Sequence, residues 1–250
     1  EPDESKAEDD FRKTDAAWDQ KKKAILREYT VSGSIKVTAS FMQEASGGGF
    51  DDESPGTKSV DRSKARLMHL ESDASKQEGT LELSQKEYTE RIETLHDNLQ
   101  RAWANDEKVH ALKLAIQCAK MLGDTNVPQF YPSMFVLLTE ILDTFGTLVF
   151  KRIKAKAEEG GGGSRDKSQP PPKLGPDFVS SDVSVDAKET CRNWFYKTAC
   201  IRELLPRLYI EIALLRCYRF LSDNEYPRLL GRLGSIIRGI GNPLVALYAR

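Results

Sequence analysis

The residue types that most often carry metal or redox chemistry are few and scattered in this sequence. It contains four cysteines and three histidines: Cys118, Cys191, Cys200, Cys217, His69, His96 and His110. No two cysteines have Cys-x-x-Cys spacing, and the histidines add no spacing typical of a metal site. The pattern predicts no metal or cofactor site. It favours reduced cysteines buried in apolar helices.

Motifs of catalytic and phosphate chemistry are not found either. The glycine triplet at residues 47–49 is not followed by Lys-Ser/Thr and lies in a loop-like composition, so it does not predict a phosphate-binding loop. There is no nucleophile elbow, no H-E-x-x-H and no carboxylate pair that would share a pocket. We therefore predict a protein that is not an enzyme. The net charge of −1 also argues against nucleic-acid binding.

Signals for membrane insertion or targeting were sought along the whole chain. We identify no apolar run of membrane-spanning length, no signal peptide and no lipidation motif. Membrane contact is therefore predicted to be indirect. Because residue 1 is Glu and the sequence stops within a helical pattern, we interpret it as a fragment of a longer protein.

Prolines at the starts of apolar runs organise the helical part of the sequence. These are Pro132, Pro206, Pro227 and Pro243. Proline is tolerated in the first turn of a helix, and it pushes the preceding residue out of the helical region. The repeated pattern predicts consecutive helices joined by short corners, with Pro206 opening a helix that runs to about Leu221.

Apolar residues at helical spacing indicate which helix faces are buried. Ser84 with Glu87, and Asp186 with Glu189, have the spacing of helix-capping pairs. The predicted buried positions are Tyr88, Ile92, Leu95, Leu99, Trp103, Val109, Leu112, Ile116, Ala119, Leu122, Phe135, Leu138, Leu142, Phe145, Val149, Cys191, Trp194, Phe195, Thr198, Ile201 and Leu205.

The N-terminal part has a different composition. Tyr29, Val31, Ile35, Val37 and Phe41 recur at mostly even spacing, which indicates an extended segment, with one or two helical turns before it. We find no second strand to pair with it, and interpret it as a strap laid over a folded surface. The predicted fold class is all-α: a HEAT-like α-solenoid fragment preceded by an extended, partly disordered N-terminal strap.

Composition divides the chain into six segments. They are a disordered acidic tail (1–15), the extended strap (16–43), a linker (44–83), a first solenoid part (84–156), a flexible Gly/Pro-rich loop (157–185) and a second solenoid part that contains the Pro-Arg-Leu-Tyr helix (186–250).

Several stretches together resemble a known family. They are residues 83–103, 108–122, 129–132, 143–146, 187–191 and 193–195, and the motif Pro206-Arg207-Leu208-Tyr209. They resemble the N-terminal part of the large α-solenoid subunit of retriever, the endosomal recycling complex of the Commander assembly. They resemble the large subunit of retromer more distantly. The resemblance extends over residues 18–250, apart from the two Gly-rich loops.

The resemblance implies a non-catalytic scaffold, cytoplasmic and peripheral on endosomes, that binds an arrestin-like small subunit. Further implied partners are a metallophosphoesterase-fold subunit, held mainly by a C-terminal part absent from this sequence, other Commander subunits and a sorting-nexin cargo adaptor. Carried over position by position, the motif gives Pro206, Arg207, Leu208 and Tyr209 as partner-binding residues, together with Glu211 and Arg202.

Other interpretations remain open at this stage. Helical spacing alone favours Leu208 as ordinary core and an ion pair between Arg207 and Glu211, one turn apart. Retromer's own large subunit is an alternative, although the helix predicted from Ser84 argues against it. An RNA-binding helical repeat is a third, but the chain is neutral and shows no fixed repeat period.

Overall fold

The computed structural model describes residues 17–31, 33–38, 80–159, 174–175 and 177–250. Most of the residues in these ranges are helical, and the ranges also contain one short two-stranded sheet. The predicted all-α solenoid class is confirmed. The predicted acidic tail, and most of both the linker 44–83 and the loop 157–185, lie outside the described residues.

The elements follow in this order. Helix α1 comprises residues 17–28, and the strands are β1 (Ile35–Thr38) and β2 (Thr80–Leu83). They are followed by α2 (Gln85–Ala104), α3 (Lys108–Met121), α4 (Tyr131–Glu159), α5 (Val185–Ala199), α6 (Leu204–Ala213), α7 (Tyr226–Ile237) and α8 (Pro243–Ala249). Short 3₁₀ segments occupy Ser180–Asp182 and Leu215–Phe220.

The start of α2 is fixed by a capping box, as predicted. Ser84 Oγ accepts a hydrogen bond from the Glu87 N–H at 3.2 Å, and the Ser84 N–H donates to Glu87 Oε2 at 2.8 Å. The second predicted capping pair is wrong. Ser184, two residues before Asp186, caps α5 by accepting from the Ala187 N–H. Asp186 lies in the first turn instead, where a carboxylate interacts favourably with the helix dipole.

Helices α2 to α7 pack as neighbouring pairs along the chain, with additional contacts between α2 and α4, between α3 and α6 and between α4 and α6. Nearly all of the predicted buried positions are buried or half-buried. Val109 is the exception and is exposed. Ala111 lies at the centre of the buried face of α3, and two residues apart on a helix point to nearly opposite sides.

The prediction that the N-terminal strap has no strand partner is wrong. β1 pairs antiparallel with β2, with Ile35 opposite Leu83. The partner strand lies inside the predicted linker 44–83, immediately before the cap of α2. Four residues are too few for a period-2 pattern to be distinguished. The one or two helical turns predicted before the extended segment are confirmed, and the helix is longer than predicted, covering residues 17–28.

Helix α6 begins earlier and ends sooner than predicted. Leu204 is its first residue, and Pro206 lies in its first turn, where backbone N–H groups have no intrahelical partner to lose. The helix ends at Ala213, and the 3₁₀ segment Leu215–Phe220 continues to the predicted end. Pro227 and Pro243 lie in the first turns of α7 and α8, as predicted.

Helix α4 contradicts the expectation that no apolar run reaches membrane-spanning length. Its 29 residues are long and apolar enough to cross a bilayer by length and composition. Half of its most apolar stretch is buried inside the protein, however. Because α3, α5 and α6 all pack on it, α4 has the composition expected of a helix covered on several sides.

The cysteines are only partly as predicted. Cys118, Cys191 and Cys217 are buried, and burial raises the pKa of the Cys118 and Cys191 thiols to about 12. They are therefore protonated and unreactive at neutral pH. Cys200 is exposed, because it follows the last turn of α5 at the corner before α6.

Candidate partner interface around helix α6

Helix α6, which carries the Pro-Arg-Leu-Tyr motif, lies at the centre of the helical packing. It packs against α3, α4, α5 and α7. Leu208 has no exposed surface and forms a small apolar cluster with Leu233 and Ile237 of α7. Tyr209 and Ile210 point the other way and belong to the main core. This explains why the helix is apolar nearly all round.

A buried carboxylate joins α6 to α7. Glu211 Oε1 accepts a hydrogen bond from Arg207 Nε at 3.0 Å, and the other carboxylate oxygen accepts from the guanidinium of Arg232 on α7. The Glu211 side chain is 6% exposed, whereas those of Arg207 and Arg232 are 37% and 41% exposed. The ion pair predicted from the spacing of Arg207 and Glu211 is confirmed, and Arg232 extends it between helices.

The close approach of α4 holds the other end of α6. A Cβ added to Gly146 of α4 would lie 2.2 Å from the carbonyl oxygen of Ala213, the last residue of α6. Only glycine allows the two backbones to lie this close. The site helix is therefore held by α7 at Leu208 and Glu211, and by α4 at Ala213.

Tyr209 is buried among aromatic residues. Its ring contacts Phe135 of α4 edge-on, with centroids 6.4 Å apart. Burial raises the pKa of its phenol to about 12, so the hydroxyl stays protonated at neutral pH. The hydroxyl finds no hydrogen-bond partner among the described residues.

We expect Tyr209→Phe to leave the free energy of unfolding unchanged or to raise it by up to about 1 kcal/mol, because the substitution removes an unpaired buried polar group. Urea denaturation followed by circular dichroism measures this. A loss of more than about 1 kcal/mol would mean that the hydroxyl is paired with a group outside the described residues.

The predicted site residues do not share one surface. Pro206, Leu208, Tyr209 and Glu211 are buried, Arg207 is half-exposed, and Arg202 is exposed in the corner before α6. Leu208 is therefore a core residue in this chain, as its helical spacing alone indicated. The buried motif residues are placed to set the shape and position of α6.

Five residues on or near α6 nevertheless have exposed or half-exposed side chains, and we call this set the α6 rim. It consists of Arg202, Leu204, Arg207, Ile212 and Arg232, all exposed or half-exposed. The sequence alone did not indicate Leu204, Ile212 or Arg232. Leu204 and Ile212 looked like further apolar residues of a buried helix. Arg232 comes close to Glu211 only because of how α7 folds back.

Polar contacts join the connections that precede α6 and α8 to the end of α3 and the connection that follows it. Glu203, which precedes α6, pairs with Lys120 of α3 at 2.9 Å. Asn242 caps α8 and donates from Nδ2 to Thr125 Oγ1 at 3.0 Å. The corners after α3, before α6 and before α8 thus meet at one end of the helices. Within the part of the chain that the structure describes, no group of three or more His, Cys, Asp or Glu could hold a metal ion.

Comparison with known proteins identifies relatives along nearly the whole chain. A family model described as VPS35L matches residues 17–250. A protein named VPS35 endosomal protein-sorting factor-like from Danio rerio is 44% identical over 234 residues, which is 93% of this chain and 23% of the relative. The proteins of similar name from Homo sapiens and Drosophila melanogaster are 43% and 41% identical, and the matches cover 93% of this chain and 23% and 24% of those relatives. The chain spans about a quarter of the length of these curated relatives.

Proposed function

This chain belongs to the VPS35L family, and from that premise we propose that it is part of a non-catalytic scaffold for endosomal protein sorting. The match over residues 17–250 carries the proposal. The helical architecture supports it, because stacked helices provide extended surfaces for other proteins. We place the protein on the cytoplasmic side of endosomes, held there through other proteins.

We propose retriever, rather than retromer, as the complex, because the family model that matches is the one described as VPS35L. The partners we propose are an arrestin-like small subunit, a metallophosphoesterase-fold subunit, other Commander subunits and a sorting-nexin cargo adaptor. Among these, the arrestin-like subunit is the one we assign to this part of the protein. The neutral chain does not favour RNA as a ligand.

The α6 rim is the surface that we assign to the arrestin-like subunit. It contains two exposed apolar side chains, Leu204 and Ile212, and three arginines. Arginine and apolar side chains at the centre of a patch are typical of protein interfaces. In this proposal the buried motif residues act by holding α6 in place, while Arg202, Leu204 and Arg207 touch the partner.

We expect Arg202→Glu to weaken binding of an arrestin-like subunit about tenfold, since reversing an interface charge replaces attraction by repulsion. Isothermal titration calorimetry with the purified subunit measures the change. Arg202 suits this test because it is exposed. Charge reversal at Tyr209 would bury a charge, and at Arg207 it would place a second carboxylate beside Glu211.

Arg192→Glu on the exposed side of α5 is the matched control, with the same change of charge. Its affinity should stay within about twofold of the parent, as is usual for substitutions outside an interface. If Arg202→Glu and Leu204→Asp both bind as tightly as the parent protein, the α6 rim is not the interface. If the parent itself does not bind, the arrestin-like partner is wrongly assigned.

A further inference from the structure

Helix α1 is attached to the rest of the protein in an unusual way. None of its described residues is fully buried, and only Lys22, Ile25 and Leu26 are half-buried. By contrast, every other α-helix in the described part of the chain buries at least one side chain. Leu26 packs against the main core, but α1 contributes no fully buried side chain to it.

Two polar contacts define where α1 lies. Ser133 of α4 donates from Oγ to the carbonyl oxygen of Tyr29 at 2.9 Å, just after the last turn of α1. Lys22 forms an ion pair with Glu140 of α4. The two contacts are seven residues apart in each segment. From Lys22 to Tyr29 the residue number rises, whereas from Glu140 to Ser133 it falls. α1 therefore lies antiparallel along α4.

The face of α4 beneath α1 follows from helical spacing. Ser133, Val136 and Glu140 are at positions i, i+3 and i+7, which share one side of a helix. Val136 is only 5% exposed, yet it belongs to neither apolar cluster of the core. Its position between the two polar contacts places it under α1.

The segment that follows α1 is held much more firmly. Ile35 and Val37 of β1 are 3% and 2% exposed and pack in the main core. β1 is paired with β2, and the Val31 N–H donates to Gln85 Oε1 of α2 at 2.8 Å. The buried and paired strand β1 thus follows soon after α1, which is held by few contacts.

We propose that α1 is a latch that lifts from α4 as a unit, while β1 stays paired with β2 and helices α2–α8 stay folded. The latch pivots between α1 and Val31, whose N–H is held by Gln85 of α2. Lifting uncovers Val136 and releases Glu140, which is already 46% exposed, from its ion pair, so the latch controls access to this face of α4. Because the ion pair of Lys22 and Glu140 contributes to closure, the equilibrium depends on charge and on ionic strength. This inference does not depend on the proposed partner.

Hydrogen–deuterium exchange of the whole 250-residue chain, followed by mass spectrometry, tests the latch. Peptides covering residues 19–29 should exchange well before peptides covering β1, α3 or α4. Raising the salt concentration from about 0.05 M to about 1 M should speed exchange in residues 19–29 alone, because the Debye length falls to about 3 Å. Lys22→Glu should speed it about tenfold, by turning attraction into repulsion.

Two further variants make the test specific. The double variant Lys22→Glu with Glu140→Lys restores the ion pair in reverse and should return exchange close to the parent rate. Lys23→Glu makes the same change of charge at the next, exposed residue and should leave the rate unchanged. The latch is ruled out if residues 19–29 exchange as slowly as α3, or if β1 opens together with them. Equal effects of Lys22→Glu and Lys23→Glu would also overturn it.

Discussion

Replacing Leu208 by Ala is expected to lower the free energy of unfolding by about 2–5 kcal/mol, because it leaves a cavity between α6 and α7. Leu208 has no exposed surface, and its apolar cluster contains only two other buried side chains, Leu233 and Ile237. Four half-buried apolar residues also pack on this cluster and can move to fill part of the space, namely Leu215, Ile236, Ile240 and Ala249. The loss should therefore fall within this range.

Urea denaturation of the chain measures this loss, and Leu230→Ala on α7 is its matched control. Leu230 is 55% exposed, so its truncation should change the free energy of unfolding by no more than about 0.5 kcal/mol. A loss below about 1 kcal/mol for Leu208→Ala would contradict the buried position of this side chain.

The result bears on how the Pro-Arg-Leu-Tyr motif is interpreted. A Leu208 variant that loses a partner would not thereby identify Leu208 as a contact residue, because α6 and α7 would also have lost their packing. The exposed Arg202 separates the two roles, since its substitution leaves that packing intact. Comparing the two variants for stability and binding distinguishes a residue that shapes α6 from one that touches the partner.

Features determined by neighbouring residues could be predicted from the sequence. The capping box of Ser84 and Glu87 uses residues within one turn, and the prolines at the starts of α7 and α8 act on their own backbone. The ion pair of Arg207 with Glu211 is likewise set by helical geometry. In each case the physical cause lies within a few residues of its effect.

Features that depend on distant residues could not be predicted. The pairing of β1 with β2 joins two short strands separated by a long stretch of sequence, and neither strand has a pattern long enough to indicate the other. Arg232 reaches Glu211 only because α7 folds back over α6. The burial of the predicted site residues has the same origin. A helix that is apolar all round is equally consistent with a partner surface and with neighbours from its own chain, until the packing is known.

Gly146→Ala should destabilise the protein by an amount at or above the upper end of the usual range for overpacking, about 1–3 kcal/mol. The new Cβ would lie 2.2 Å from the Ala213 carbonyl oxygen and 2.9 Å from its carbon, and these backbone atoms cannot turn away as a flexible side chain would. Helices α4 and α6 would have to separate. Alanine's better helix propensity, about 1 kcal/mol over glycine, offsets only part of this cost.

Gly231→Ala and Gly234→Ala on α7 make the same substitution at positions where a Cβ would meet nothing within 4 Å. At these positions only the helix propensity changes, and each substitution should raise the free energy of unfolding by about 0.5–1 kcal/mol. Thermal and urea denaturation of the three variants should thus show a lower free energy of unfolding for Gly146→Ala and higher values for the two variants on α7. A gain at Gly146 as well would mean that α4 and α6 lie further apart. In that case α6 and the α6 rim would be held in place by α3, α5 and α7, with little contribution from α4.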